Sequence, residues 1–308
     1  MNEKWGIIYH SRAGANNTSK QWDKILQYLA HRNVAYDYFQ SEGYGSVERL
    51  AGILTENQYT TIVIAGGDGA LNDMINGVIS HANDEQLKNI HIGIIPIGMS
   101  NDFASFWDIT SDYRKAIDHI IANRTRSIDV GRCIYHNKKD NNTFCRYFLN
   151  AVNIGLSEKM LRVIDQANRF WAWKLTAFFE SLVVLFFEKK RYRMHLEIGD
   201  EQIKGHYMTI CIGNCRAWGQ TPSAIPYNGY LDVSLIRRPL GWGKFIKGLW
   251  LLTNHQLLNF KGVNVYRGKK IRVITARNAN IDLDGRAFGR HYPLDIDILP
   301  ESINLIIP

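Results

Sequence analysis

The sequence predicts an α/β plus all-β chain: an N-terminal doubly wound α/β domain over residues 1–128 and a C-terminal antiparallel β-sandwich over residues 129–299. Three observations carry this reading. In the first stretch, short apolar runs empty repeatedly into Gly-containing turns and then into residues spaced like one face of a helix. Near Ser127-Ile128-Asp129-Val130-Gly131 that rhythm stops, and short alternating segments separated by turn residues take over. The length, 308 residues, is about two domains' worth. Residues 300–308, apolar from Ile303 to Ile307, read as a strand or tail docking back on the first domain.

Taken in order, Trp5 to Tyr9 is a first strand, too short for a signal peptide. It runs into the polar turn His10-Ser11-Arg12-Ala13-Gly14, whose amides, with Ser11 and Arg12, either contact phosphate or form a plain loop. Trp22, Ile25, Leu26 and Leu29 mark a helix, Val34 to Tyr38 alternates as a strand, and Val47 to Leu54 is helical. Thr61 to Ala65 is a strand leading into Gly66-Gly67-Asp68-Gly69-Ala70. Beyond it Leu71, Met74, Ile75, Val78 and Ile79 share one helix face, and Asn72 and Asn76 another. Ile90 to Ile95 is a further strand, ending in Pro96-Ile97-Gly98-Met99-Ser100-Asn101-Asp102-Phe103-Ala104. Such alternation predicts a mostly parallel sheet, with ligands beyond the carboxyl ends of its strands. Ser11, Asp68 and Asp102 are therefore expected at one crevice.

A strand, a glycine turn and a helix aim backbone N–H groups at an anion, and glycines let a phosphate approach the backbone. Asp68 is the odd member of that turn, because a carboxylate repels phosphate unless a cation or a transferable proton lies between them. Either it handles Mg²⁺ or a proton, or it is an ordinary helix cap.

Beyond residue 129, strands are expected at 144–154, 192–199, 202–213, 230–236, 263–266, 270–275, 279–283 and 294–299. Two segments interrupt them. One spans 170–187, is rich in Trp and Phe, and is followed by Lys189, Lys190, Arg191 and Arg193. The other runs from Arg237 to Leu252 with Trp242, Lys244, Phe245, Lys247 and Trp250. Aromatic rings beside cations suit a membrane surface, and the same pattern also suits helices packed across the β domain. Lys174, Glu180 and Ser181 make the first a poor transmembrane span.

Hydrophobic residues make up 45% of the chain and charged ones 21%, so a disordered or fibrous protein is excluded. A formal net charge of +8 suits an anionic partner: nucleotide, nucleic acid or acidic lipid. Cys133, Cys145, Cys211 and Cys215 match neither a disulfide framework nor zinc-ligand spacing, and are expected to be reduced thiols in a cytosol.

Gly66-Gly67-Asp68-Gly69 with Asn72 and Asn76-Gly77, followed by Pro96-x-Gly98-x-x-Asn101-Asp102-Phe103-Ala104, resembles the diacylglycerol kinase catalytic family, which includes bacterial soluble lipid kinases and sphingosine kinases. The resemblance continues at Asp129-Val130-Gly131, Asn228-Gly229-Tyr230-Leu231-Asp232-Val233 and Asp284-Gly285-Arg286, so it spans essentially the whole chain. The Gly-Gly-Asp-Gly element alone is shared with NAD kinases; the Asn101-Asp102-Phe103-Ala104 element argues against that alternative.

The resemblance implies a nucleotide-binding α/β domain, a lipid-substrate β domain, and transfer of phosphate from Mg·ATP to a lipid hydroxyl of the diacylglycerol or sphingoid-base type. By motif, ATP phosphates belong at Gly66, Gly67, Asp68, Gly69 and Ala70 and at Gly98, Met99, Ser100 and Asn101, with Asn72 and Asn76 supporting the turn or touching nucleotide. Asp68, Asp102 and Asp129 form the acidic set around Mg²⁺ and the reacting hydroxyl. A second metal would sit at Asn228 and Tyr230. The implied protein is cytoplasmic and peripheral to the membrane, meeting its lipid and an anionic bilayer there. Nucleic acid is not an expected partner, and a homodimer is.

Several positions depart from the family. Threonine is usual where Ala70 and Met99 stand, His10-Ser11 replaces an Asn-Pro pair, and Asn228 replaces an Asp, removing a charge from the second metal site. Arg286 replaces a Glu held to assist as base on the acceptor hydroxyl. Arginine accepts no proton, and losing a positioned base costs about 10²–10⁴-fold in rate. Three outcomes stay open: an impaired enzyme that binds nucleotide or lipid, an active one with Arg286 clamping the γ-phosphate and Asp68 taking the proton, or an Arg286 that faces solvent.

Overall fold

The computed structural model describes residues 4–10, 18–43, 45–98, 101–137, 142–155, 191–216, 220–237, 241–253 and 256–308. The chain divides into two compact units, Met1–Val130 with Pro300–Pro308, and Gly131–Leu299. They have the α/β and antiparallel sandwich character expected of them.

In the first unit the elements are β1 (Trp5–Tyr9), α1 (Thr18–His31), β2 (Tyr36–Gln40), α2 (Ser46–Glu56), β3 (Thr61–Gly66), α3 (Asp68–His81), α4 (Asp84–Asn89), β4 (His91–Pro96), α5 (Asp102–Phe106) and α6 (Tyr113–Ala122). The strands are parallel in the order β2-β1-β3-β4. β1 and β3 are buried along their whole length, as parallel strands covered on both faces must be. Ile7, Val63 and Ile95 pack with Trp22, Ile25 and Leu29 of α1 and Ile117 and Ile120 of α6. Alternation turns Gly6 to the other face, where a Cβ would meet Leu54 of α2 at 2.8 Å. α3 packs against α2 and buries Leu71, Met74, Ile75 and Val78. The tail expected to dock back is a strand: Asn304 and Leu305 lie parallel to His91 and Ile92. Asn304 secures it, donating to the Lys88 carbonyl (2.9 Å) and accepting from the Ser127 hydroxyl (2.8 Å).

The second unit draws on β5 (Thr125–Asn137), β6 (Asn142–Phe148), β7 (Ala151–Gly155), β8 (Tyr192–Ile198), β9 (Glu201–Tyr207), β10 (Thr209–Gly213), β11 (Leu231–Ile236), helix α7 (Trp242–Thr253), β12 (Val263–Gly268), β13 (Lys270–Ala276), β14 (Asn280–Leu283), β15 (Arg286–Gly289) and β16 (Leu294–Ile306). One layer runs β16-β13-β8-β9 with β5 and β6 beside β16; the other runs β12-β11-β10-β7-β14-β15. Val152, Ile154, Ile210, Ile212, Val233 and Leu283 of the second layer meet Phe148, Met194, Leu196, Val273 and Ile296 of the first in one core. The single strands expected at 144–154 and 202–213 are each two, broken at Leu149-Asn150 and at Met208. The aromatic stretch 170–187, with Lys189 and Lys190, lies outside the described residues, as do Ser11, Arg12, Met99 and Ser100. No helix among the described residues is long and apolar enough to cross a membrane.

Cys133, Cys211 and Cys215 are buried thiols, and Cys145 is exposed. Burial pushes the Cys133 and Cys211 thiols up, Cys211 to about 12, and partial burial also raises Cys145. A raised pKa leaves less thiolate at a given pH. With a disulfide reagent at pH 8, one thiol per native chain is expected to react, more slowly than free cysteine, and four after denaturation. Liberated thiolate absorbance measures both.

Candidate functional site

The sheet's growth reverses at β1, since β2 lies on one side of it and β3 and β4 on the other; this puts the topological switch point between the carboxyl ends of β1 and β3. Those ends are His10 and Gly66-Gly67. The His10 N–H donates to the Ala65 carbonyl (3.0 Å), and His10 Nδ1 lies 2.7 Å from Ser41 Oγ, just past β2. By motif His10 is marked only as a departure from the family's Asn-Pro pair, and Ser41 is not singled out. Strand order, which a sequence does not carry, is what brings them here.

At the same edge the two glycine turns meet backbone to backbone. A Cβ on Gly98 would stand 2.5 Å from Gly67 Cα and 3.1 Å from Gly67 N, and one on Gly67 would stand 3.1 Å from Gly98 Cα. Only two facing glycines allow this approach. Gly67 caps α3 and brings no side-chain cap of its own. Half-buried Asp68 and Gly69 and buried Ala70 begin the helix, at its positive end. The Ala70 methyl lies against Gly66, where an added Cβ would meet it at 2.9 Å. In the second turn Asn101 adopts a left-handed conformation (φ 54°) and its Nδ2 donates to the Gly98 carbonyl (2.8 Å). Asn101 Oδ1 is buried and has no hydrogen-bond partner among the described residues.

Asp68 joins the turns. Its Oδ2 accepts the N–H of Asp102 (3.0 Å) and its Oδ1 that of Phe103 (3.1 Å), so it caps α5, a different helix from its own. A carboxylate has about four lone-pair sites, and these bonds occupy two of them. The structure thus brings together Gly66, Gly67, Asp68, Gly69, Ala70, Gly98, Asn101 and Asp102.

Other expected site residues have structural employment. Asn76 Nδ2 donates to the carbonyl and the side-chain oxygen of Asn72 (2.9 and 3.2 Å), with both residues at most 2% exposed. Asp129, 1% exposed, accepts the Glu301 N–H (3.0 Å), holding the left-handed residue where β16 returns to the first unit. No group of three His, Cys, Asp or Glu side chains among the described residues is placed to hold a metal.

In the second unit, Asp284 and Gly285 both have positive φ and form the two-residue turn of the β14–β15 hairpin. The Asp284 carboxylate accepts the N–H groups of Leu149 (2.7 Å), Asn150 (2.9 Å) and Ala151 (2.8 Å), pinning the turn between β6 and β7. Asp282 accepts the Gly285 N–H (2.9 Å). Half-buried Arg286 opens β15 opposite Leu283. β15 was not among the expected strands; the Asp-Gly pair is the hairpin signal that could have found it.

The turn at Asn228 and Tyr230 does not fit a divalent cation as arranged. Asn228 Oδ1 accepts the Tyr230 N–H (2.9 Å), and Lys269 Nζ lies 5.1 Å from the centre of the Tyr230 ring. Nearby Asp232, 3% exposed, is held by Arg267 Nε (2.6 Å) and Nη2 (3.2 Å) and by Ser223 Oγ (2.7 Å). The Asn228 oxygen is engaged by a backbone N–H, a cation lies over the Tyr230 ring, and the one acid of this motif already has a cationic partner.

Substitutions at Gly98 and Asp284 test these contacts. Gly98→Ala forces the turns apart and is expected to cost about 1–3 kcal/mol in urea unfolding. Asp284→Ala orphans three buried N–H groups and is expected to cost about 3 kcal/mol or more by the same measurement, with Asp284→Asn intermediate.

Comparison with known proteins agrees with the motifs. The diacylglycerol kinase catalytic domain model matches residues 4–133, and the YegS C-terminal NAD kinase beta sandwich-like domain model matches residues 151–307. A Staphylococcus aureus (strain JH9) protein named "Putative lipid kinase" is 25% identical, over 97% of this chain and 95% of that one. The crystal structure of a diacylglycerol kinase from Bacillus anthracis (strain Sterne) superposes with a TM-score of 0.73 at 17% identity, covering 99% of this chain and 97% of that one. Yeast NADH kinase complexed with NADH shares the fold more distantly, with a TM-score of 0.53 at 8% identity over 100% of this chain and 84% of that one. The chain belongs to the diacylglycerol kinase-like family of lipid kinases, in which a diacylglycerol kinase catalytic domain is joined to a YegS-type β-sandwich.

Proposed function

We propose that the protein is an ATP-dependent lipid kinase that transfers the γ-phosphate of Mg·ATP to a hydroxyl of a diacylglycerol or sphingoid-base lipid. The observation that carries this reading is the pair of facing glycine turns at the switch point, spanned by Asp68. The start of α3 at that edge supplies N–H groups and positive potential to an anion. ATP supplies the phosphoryl group, and a divalent ion would offset its charge. Asp68 keeps lone pairs for that ion or for a proton, and Asn101 Oδ1 is a buried acceptor beside them.

When the hydroxyl oxygen bonds to phosphorus and ADP leaves, the hydroxyl proton passes to an Asp68 oxygen. Arg286 offers no base. Phosphoryl transfer depends mainly on positioning and charge stabilisation, so turnover survives that loss at a reduced rate. Arg286 also favours a second reading: a homologue that binds nucleotide or lipid without turnover.

Purified protein with labelled ATP, Mg²⁺ and mixed micelles of diacylglycerol, ceramide or sphingoid base decides between them. Phosphorylated lipid is expected, with Arg286→Glu raising kcat about 10²-fold and Asp68→Asn lowering it at least as much. ATP binding without product in the wild type, and a gain only in Arg286→Glu, selects the second reading. Phosphorylation of NAD instead of any lipid would overturn both.

A further inference from the structure

We infer that Asn228 is a self-modification site: in the folded protein its side-chain amide is lost to attack by the Gly229 nitrogen, leaving aspartate or isoaspartate. The chain contains two Asn-Gly pairs, Asn76-Gly77 and Asn228-Gly229, and the fold places them in opposite surroundings. Asn76 is 2% exposed inside α3, with its Nδ2 bonded to the carbonyl and the side-chain oxygen of Asn72. Gly77, also inside α3, has its N–H in the helix ladder. A Cβ there would meet the Glu48 carbonyl oxygen at 2.2 Å, so this backbone has no room to fold into a ring.

The second pair lies just before β11, half-buried between Tyr227 and Tyr230, each 41% exposed. Gly229 has a φ of 69°, and a Cβ on it would meet nothing within 4 Å. The backbone here has space to move. The Tyr230 N–H donates to Asn228 Oδ1 (2.9 Å), which closes a turn and folds the side chain back over Gly229. That bond also draws electron density from Cγ, the atom under attack. Among the described residues nothing holds Nδ2, the leaving nitrogen, by a hydrogen bond.

Water is the only co-reactant. A solvent base takes the Gly229 amide proton, the bond from Gly229 N to Asn228 Cγ forms, and the Cγ–Nδ2 bond breaks. Nδ2 leaves as ammonia, with a proton returned from solvent. Water then opens the cyclic imide. Cleavage at Cγ gives aspartate, and cleavage at the main-chain carbonyl carbon gives isoaspartate, in which the chain runs through the side chain. Nothing is oxidised or reduced. Either product puts a carboxylate into a turn where Lys269 lies over the Tyr230 ring, and lowers the formal net charge of +8 by one. In aspartate the charged oxygen keeps the Tyr230 N–H and bonds it more strongly. Isoaspartate lengthens the backbone and breaks the turn. The change is one-way and accumulates with the age of the molecule.

The test is to hold the purified full chain at mildly alkaline pH and follow its peptides by mass spectrometry, with a tryptic digest held alongside as the unstructured reference. In the folded chain the Asn228 peptide is expected to gain the mass difference between a hydroxyl and an amino group and to separate into aspartate and isoaspartate forms. The Asn76 peptide is expected to stay unchanged in the folded chain and to convert in the digest. An isoaspartyl methyltransferase with labelled S-adenosylmethionine should label the aged chain and not the fresh one. Asn228→Gln should lose most of that label, because the longer side chain closes a less favourable ring. Conversion of Asn228 in the digest but not in the folded chain would overturn the proposal. So would equal conversion of Asn76 and Asn228 in the folded chain, or an undiminished label in Asn228→Gln.

Discussion

The hydrogen bonds from the Asp102 and Phe103 amides to the two oxygens of Asp68 fix where the second glycine turn lies against the first. Because a carboxylate bridges the turns, their backbones approach until neither Gly67 nor Gly98 has room for a methyl. Because the approach is that close, the start of α3, the left-handed Asn101 and the start of α5 share one edge of the sheet. The apparent misfit of an acid in a phosphate turn has a physical explanation. The carboxylate is held by N–H donors on one side, which leaves its remaining lone pairs for whatever binds on the other.

The same device recurs in the sandwich. Asp284 gathers three amides of the turn between β6 and β7, and Asp232 is clamped by Arg267 and Ser223. Both belong to sequence motifs, and in both the conspicuous acid fastens backbone or cation. The hairpin that Asp284 and Gly285 turn sets where Arg286 begins β15. A motif acid is therefore weak evidence for a reacting group until its hydrogen bonds are known.

The fold was largely legible in the sequence because parallel strands buried on both faces read as apolar runs, as at Ile62-Val63-Ile64, and sandwich strands read as alternation, as at Tyr192–Ile198. The glycine turns were legible because only glycine tolerates such contact. What stayed hidden depends on pairing across long separations. Nothing local shows that Asp68 caps a helix 34 residues away, that Asn72 and Asn76 bond to each other, or that Asp129 holds Glu301. Breaks such as Met208 were invisible for the same reason: alternation continues through them, and the partner strands set where one ladder ends. The contact of His10 with Ser41 became visible only with the strand order, and the misfit at the Asn228 turn only when Lys269 was found over the Tyr230 ring and Arg267 on Asp232.

β16 gives the first unit a strand that the chain makes late. All of Gly131–Leu299 is synthesised between Val130 and the residues that lie beside β4. During translation the nascent α/β unit leaves the ribosome with β4 exposed as an open edge, a template for mispairing with other chains. Maturation of the glycine-turn unit is thus coupled in time to completion of the sandwich, and a growing polypeptide stalled before Pro300 would be a substrate for chaperones.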